Sequence, residues 1–229
     1  MALLWADDFK SFGTDEGAML DGLYAEMSDA GSDIALVADP DVTASGNVLR
    51  WAGGFLSNNT LRWVNPNGAV TTLGMGCRFW APSLPTGDDR TFEWSFRDAN
   101  NVTHICLEVM TTGQLRLRRG GEGGTELGQS TLPVLTAAAW HHIEFKALID
   151  NTVGTFQCYV NGIEVDGLTL TGIDTCNSAV VSVSQIAMLN RLSSGSGFTT
   201  FYMKDFIVWD NTGTVNNDFM GTVSVLRLL

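Results

Sequence analysis

Apolar and polar residues alternate with a period of two along most of the chain. In Thr91-Phe92-Glu93-Trp94-Ser95-Phe96, the residues Phe92, Trp94 and Phe96 fall on one face. Gln114-Leu115-Arg116-Leu117-Arg118 alternates as cleanly, and His141, Ile143, Phe145, Ala147 and Ile149 line one face of another segment. Val180–Leu189 and Phe201–Trp209 are long runs rich in β-branched or aromatic residues. This periodicity predicts half-buried strands, not helices.

Turn chemistry falls between these runs. Asn67-Gly68, Thr112-Gly113, Asn161-Gly162, Asp166-Gly167 and Thr212-Gly213 are turn dipeptides or close to them. Asn161-Gly162 gives the clearest hairpin, joining Thr155–Val160 to Ile163–Leu170, because both residue types tolerate positive φ. Gly120-Gly121-Glu122-Gly123-Gly124 and Ser193-Ser194-Gly195-Ser196-Gly197 read as flexible loops. Leu132–Ala139 has some helical propensity, but Pro133 and its shortness make it a connector. No linker divides the chain, so residues 1–229 are expected to form one domain. A dozen or so strands in one domain imply two stacked sheets, because a single sheet that wide would leave an apolar face bare.

Composition agrees and narrows the function. The 229 residues are 45% hydrophobic and 17% charged, with 25 glycines and 5 prolines, which suits short strands and tight turns. A net charge of −12 argues against tracking a phosphate backbone. The one basic run, Arg116, Arg118 and Arg119, reads as the polar face of a strand. Cys77, Cys106 and Cys158 lie within apolar strand patterns, and with Cys176 they form no C-x-x-C pair. Buried free thiols are therefore expected, not a zinc site. Met1–Lys10 has no basic region followed by an apolar run, and no stretch reaches the length of a membrane span. The expectation is a protein made in the host cytoplasm without a signal peptide, with neither nucleic acid nor membrane as partner.

Several segments carry a resemblance. Trp140-His141-His142-Ile143-Glu144-Phe145-Lys146, followed by Gly154–Tyr159 and Tyr159-Val160-Asn161-Gly162, resembles the concanavalin A-like (laminin-G-like) superfamily. That resemblance implies an all-β jelly-roll sandwich of two antiparallel sheets. Leu4-Trp5-Ala6-Asp7-Asp8-Phe9 with Met19-Leu20-Asp21-Gly22-Leu23-Tyr24 looks like the opening of tailed-bacteriophage virion proteins. Ser45–Arg50 fits the strand that follows. Tyr202–Asp210, Thr212-Gly213 and Asn216–Gly221 resemble their closing segment. Lys204 departs from the pattern, which usually has a second acid beside the aspartate at position 205, and many of these proteins continue past the final strand, whereas this chain stops at Leu229. The resemblance implies a structural virion protein, a capsid decoration, head fibre or tail component. It would dock on other capsid or tail proteins and self-associate as a homo-oligomer, for which a trimer is one expectation.

Candidate chemistry is sparse. Retaining glycosidases of this fold place carboxylates in an E-x-D-x-x-E pattern. Glu164-Val165-Asp166 is the nearest match, but Leu168 and Thr169 stand where the third acid should be. His104, His141 and His142 form no recognisable catalytic spacing. On these grounds the chain is expected not to be an enzyme, with no catalytic, cofactor or metal residues assigned. Asp7-Asp8, Asp88-Asp89 and Asp205/Asp210 could offer oxygens to calcium, but they read as solvated loop acids because no dense D-x-D-x-D loop occurs. Of the seven tryptophans, Trp94, Trp140 and Trp209 are expected in the core, while Trp51, Trp63 and Trp80 are left unassigned, Trp63 because Asn65-Pro66-Asn67-Gly68 after it could make an exposed loop. An adhesin that stacks host glycans on exposed tryptophan is the alternative reading, and a glycan hydrolase a third.

Overall fold

The computed structural model describes residues 3–9, 24–27, 34–41, 46–52, 59–86, 92–190, 200–212 and 219–221. Among these, the alternating segments form strands and no helix is present. The first half of the chain supplies β1 (Leu3–Asp7), β2 (Glu26–Met27), β3 (Ile34–Ala38), β4 (Asn47–Trp51), β5 (Asn59–Val64), β6 (Thr72–Trp80), β7 (Phe92–Arg97) and β8 (Thr103–Val109). The second half supplies β9 (Leu115–Arg119), β10 (Thr125–Gln129), β11 (His141–Leu148), β12 (Gly154–Val160), β13 (Ile163–Glu164), β14 (Leu170–Ile173), β15 (Gln185–Asn190) and β16 (Phe201–Asp210).

The strands pair into two antiparallel sheets. The first runs β13-β12-β11-β6-β16-β4-β3, with β1 also on β16 and β14 also on β12. The second runs β10-β9-β8-β7-β15-β5-β2. The architecture is an all-β jelly-roll sandwich, as the alternation and the superfamily resemblance imply. One buried cluster joins the inner faces: Leu73, Met75, Cys77 and Phe79 of β6 and Ile143, Phe145 and Ala147 of β11 meet Phe92, Trp94 and Phe96 of β7. Phe79 and Phe92 lie 5.5 Å apart and Phe96 and Phe145 5.1 Å apart, so aromatic contacts stitch the two layers.

Two local features position the candidate site. In β16 the inward residues are Phe201 and Met203, then Phe206 and Val208. The parity changes at a bulge at Lys204–Asp205, where Asp205 takes φ 53. Before the bulge β16 pairs with β4, and after it with β1, so the extra residue lets one strand serve two partners. The hairpin at Asn161-Gly162 forms with φ 53 and 78, and closes Val160 onto Ile163. The returning strand is only two residues long; the chain then dips Val165 and Leu168 into the core before β14 rejoins β12. The expected loop at 120–124 is a hydrogen-bonded turn: Gly120 N–H donates to His104 C=O at 2.7 Å and Gly124 N–H to Gly121 C=O at 2.9 Å. The expected loop at 193–197 lies outside the described residues.

Candidate functional site

The outer face of the first sheet carries the open chemistry. Inward positions on β6 and β11 are odd-numbered, so Arg78, Trp80, His142, Glu144 and the residue just before β11, Trp140, take the outward parity. Trp80 pairs in register with Tyr202, and their rings meet edge to face at 5.1 Å. Arg78 pairs in register with Lys204 on one side and His142 on the other. The Lys204 ammonium sits 4.0 Å from the Trp140 ring centre, and the Arg78 guanidinium 5.9 Å from the same ring. Lys204 is held from below by Asp39, at 2.5 Å. Arg78, Trp80 and Trp140, together with Pro40, Asp41, Ala138 and Ala139, line a cleft of about 410 Å³. Both indoles are half-buried, leaving part of each ring to solvent.

The middle of the same face is closed. Glu144 is fully buried and accepts hydrogen bonds from Met220 N–H at 2.9 Å and Gly221 N–H at 3.1 Å. Phe219 lies on Tyr159 at 4.2 Å and under Lys146 at 5.2 Å, with Trp209 edge-on at 6.3 Å. Residues 219–221 therefore cover the centre of the sheet and leave the Trp80–Trp140 end open. His142 is buried beside Glu144, 3.5 Å away, and neither ring nitrogen is hydrogen-bonded.

The outer face of the second sheet holds a different cluster. Glu93 and Glu108 are register partners on β7 and β8, and Arg116 stands opposite Glu108 on β9. Arg116 Nε lies 2.7 Å and Arg118 Nε 3.1 Å from Glu108 Oε2. Glu93, Glu108 and Cys106 place one ligand atom each within 4.8 Å of one another, the only such trio among the described residues. Glu93 and Glu108 are 0% and 2% exposed, so this cluster is shut off from solvent. Two guanidiniums already supply the positive charge a cation would bring, which makes it an ion-pair cluster by chemistry, not a cation site.

The remaining candidates have local partners. Asp7 accepts from Phe9 N–H at 2.8 Å and from the Tyr24 hydroxyl at 3.1 Å; burial, then the Asp7 charge, pushes that phenol well above its ordinary value. Asp210 accepts from Thr212 N–H and hydroxyl. The aspartates at 7, 8, 205 and 210 are not gathered into a three-ligand set, and Asp88-Asp89 lies outside the described residues. His104 donates from or accepts at both ring nitrogens, to Ser182 C=O and from Asn177 N–H, and burial holds it below the ordinary histidine value. His141 is bonded to Thr136, and burial lowers it likewise. Glu164 is exposed and bonded to Tyr159 and Thr169, while Asp166 sits in the Gly167 turn. All four cysteines are buried and none is in a disulfide, and burial pushes the Cys77 and Cys158 thiols far above the range of a reactive thiolate.

One tryptophan expectation needs correction: Trp140 is not a core residue, because the strand parity turns it outward into the cleft. Trp63, left unassigned by the sequence, is 1% exposed and packs in the core. Trp209 is buried at 1%, on the outer face over Gly74. The alternation held the signal for Trp80 and Trp140, because each falls one residue out of phase with a run of inward positions.

No family model and no curated protein matches the chain. Solved structures do. "Cellulose induced protein, Cip1" is similar at 14% identity and TM-score 0.65, over 96% of this chain and 100% of that one. A carbohydrate esterase from Shiga toxin-encoding bacteriophage phi24B is similar at 14% identity and TM-score 0.57, over 90% and 97%. A GH131 β-glucanase catalytic domain from Podospora anserina is similar at 11% identity and TM-score 0.57, over 94% and 98%. The esterase and the glucanase overturn the expectation that the chain is not an enzyme. That expectation rested on one incomplete acid pattern at residues 164–169, whereas the sandwich as a whole is one on which carbohydrate-active enzymes are built. At these identities the likeness establishes the fold: this chain shares the jelly-roll sandwich of Cip1, the phage esterase and the glucanase over nearly its whole length.

Proposed function

We propose that this chain binds carbohydrate in the Trp80–Trp140 cleft and is displayed on the surface of a tailed-phage particle. The observation that carries the binding reading is the cleft itself. Two half-buried tryptophans line it, a side chain on which sugar rings stack, and Arg78 and Asp41 add a positive and a negative group beside them. The sandwich agrees, since structures of the same fold include a carbohydrate esterase and a glucanase. The particle location is supported by the opening and closing segments around Trp5-Ala6-Asp7-Asp8-Phe9 and Tyr202–Asp210 and by a phage protein among the similar structures. On a particle, the chain would dock on other virion proteins and self-associate as a homo-oligomer.

Titration against a panel of bacterial surface polysaccharide fragments tests the binding. Trp140→Ala is expected to weaken binding about tenfold or more, as loss of a central aromatic contact does, with the far-ultraviolet spectrum unchanged. A blank panel, or binding indifferent to Trp140→Ala, removes the proposal. Mass spectrometry of purified particles tests the location.

A second reading, glycan cleavage, is favoured by the Glu93–Glu108 pair, whose closeness suits a retaining mechanism better than an inverting one. Substrate would have to reach two carboxylates that are closed to solvent here. The same incubations, read for new reducing ends with the native chain and with Glu108→Gln, decide it.

A further inference from the structure

We infer that the cleft selects an acidic sugar, one bearing a carboxylate, over its neutral counterpart. The inference rests on the reading of the cleft as a sugar site and goes beyond it by naming the charge of the ligand.

One cation of the cleft stands apart from the others. Arg78 and Lys204 pair in register and both lie against Trp140, but only Lys204 has a carboxylate partner. Asp39 is spent: one carboxylate oxygen pairs with Lys204, and the other accepts from Asp41 N–H at 2.9 Å. Arg78 is different. Its Nε is buried without a hydrogen bond, and among the described residues no carboxylate pairs with its guanidinium. A guanidinium that lines a cleft without a counter-charge has a carboxylate as its natural complement, because its fork meets two carboxylate oxygens.

The surroundings make that charge directional. Trp140 lies against both Arg78 and Lys204, so the indole fixes the cations next to the surface on which a sugar ring would stack. Asp41 stands on the same wall, and its negative charge repels a misplaced carboxylate. A hexuronate ring fits this arrangement with its carboxylate toward Arg78 and away from Asp41. A neutral hexose leaves the Arg78 guanidinium without a counter-charge.

Calorimetric titration with matched oligosaccharides tests this. Oligogalacturonate and oligomannuronate are each compared with their own carboxyl-reduced form, at low and high salt. At least one acid form is expected to bind about tenfold or more tighter than its reduced partner, as a charge-assisted hydrogen bond predicts, and only the acid form should weaken with salt. Arg78→Gln should erase the preference while Trp140→Ala weakens both forms. Arg78→Lys keeps the charge without the fork and should restore part of the preference, which separates charge recognition from a folding defect. Equal or tighter binding of the reduced forms overturns the acid selection and leaves the carbohydrate reading intact. Absence of binding by either form of both sugars overturns the acid selection, and a blank wider panel is what removes the carbohydrate reading.

Discussion

Gly74 shows how closely one residue can be fixed by its neighbour. A Cβ there would meet Trp209 Cε2 at 2.2 Å and Nε1 at 2.5 Å, so the indole lies directly on the glycine. Gly74→Ala forces Trp209 off its seat, and overpacking of this kind costs about 1–3 kcal/mol. The denaturant midpoint should fall with an unchanged slope; an unchanged midpoint would mean that Trp209 moves freely. Trp209 faces outward only because the parity of β16 changes at its bulge, whereas unbroken alternation turns out Trp80 and Trp140. Those two were legible residue by residue once the inward set was known, because 73, 75, 77 and 79 leave 80 outside, and 141, 143 and 145 leave 140 outside. What parity does not show is which outward tryptophan stays open. Trp209 is covered by Phe219, ten residues on, whereas Trp140 borders a cleft.

Among the elements, residues 219–221 have an influence out of proportion to their length. They form no strand, yet Glu144 on β11 accepts from two of their backbone N–H groups. Hydrogen bonds to a buried carboxylate are among the stronger ones, on the order of 1.5–3 kcal/mol each. Glu144→Ala should speed amide hydrogen exchange at Met220 and Gly221 by about tenfold or more while leaving the amides of β6 protected. Equal exchange in both proteins would show that Phe219 alone holds the segment. This contact was not legible in the sequence: residues 144 and 220 are 76 apart, and an acid within an apolar alternation gives no hint of its partner. The hairpin at Asn161-Gly162 is the opposite case. Its geometry is local, both residues adopt the positive φ that their side chains tolerate, and the dipeptide alone announced it.

For the whole molecule, the buried histidines and hydrogen-bonded aspartates set the pH response. Burial lowers His104 and His141, so the unfolded chain takes up protons first as pH falls; their neutral, buried state costs stability progressively below about pH 6.5. For Asp98, burial raises the carboxyl, but hydrogen bonds from Val102, Ser178 and Asn100 outweigh it and hold it below the ordinary value. Asp150 is lowered by bonds from Val153 and Thr152. Those contributions persist through mild acid and are lost as pH falls below about 4. Urea midpoints measured from pH 8 to pH 3 should decline in two stages; a rise between pH 7 and pH 5 would contradict the histidine assignment. By itself, the sequence determined the two-layer sandwich, the inward faces of β7, β9 and β11 and the tightest hairpin, because a period-two pattern must bury one side and turns are written in neighbouring residues. Only the tertiary structure decided the rest: that Arg78, Trp80 and Trp140 line one cleft with Lys204 against Trp140, that Glu93 and Glu108 lie side by side, and that Glu144 is roofed by residues 219–221. Each of those is a distance between strands far apart in the chain, set by sheet order and register, which alternation within one strand does not encode.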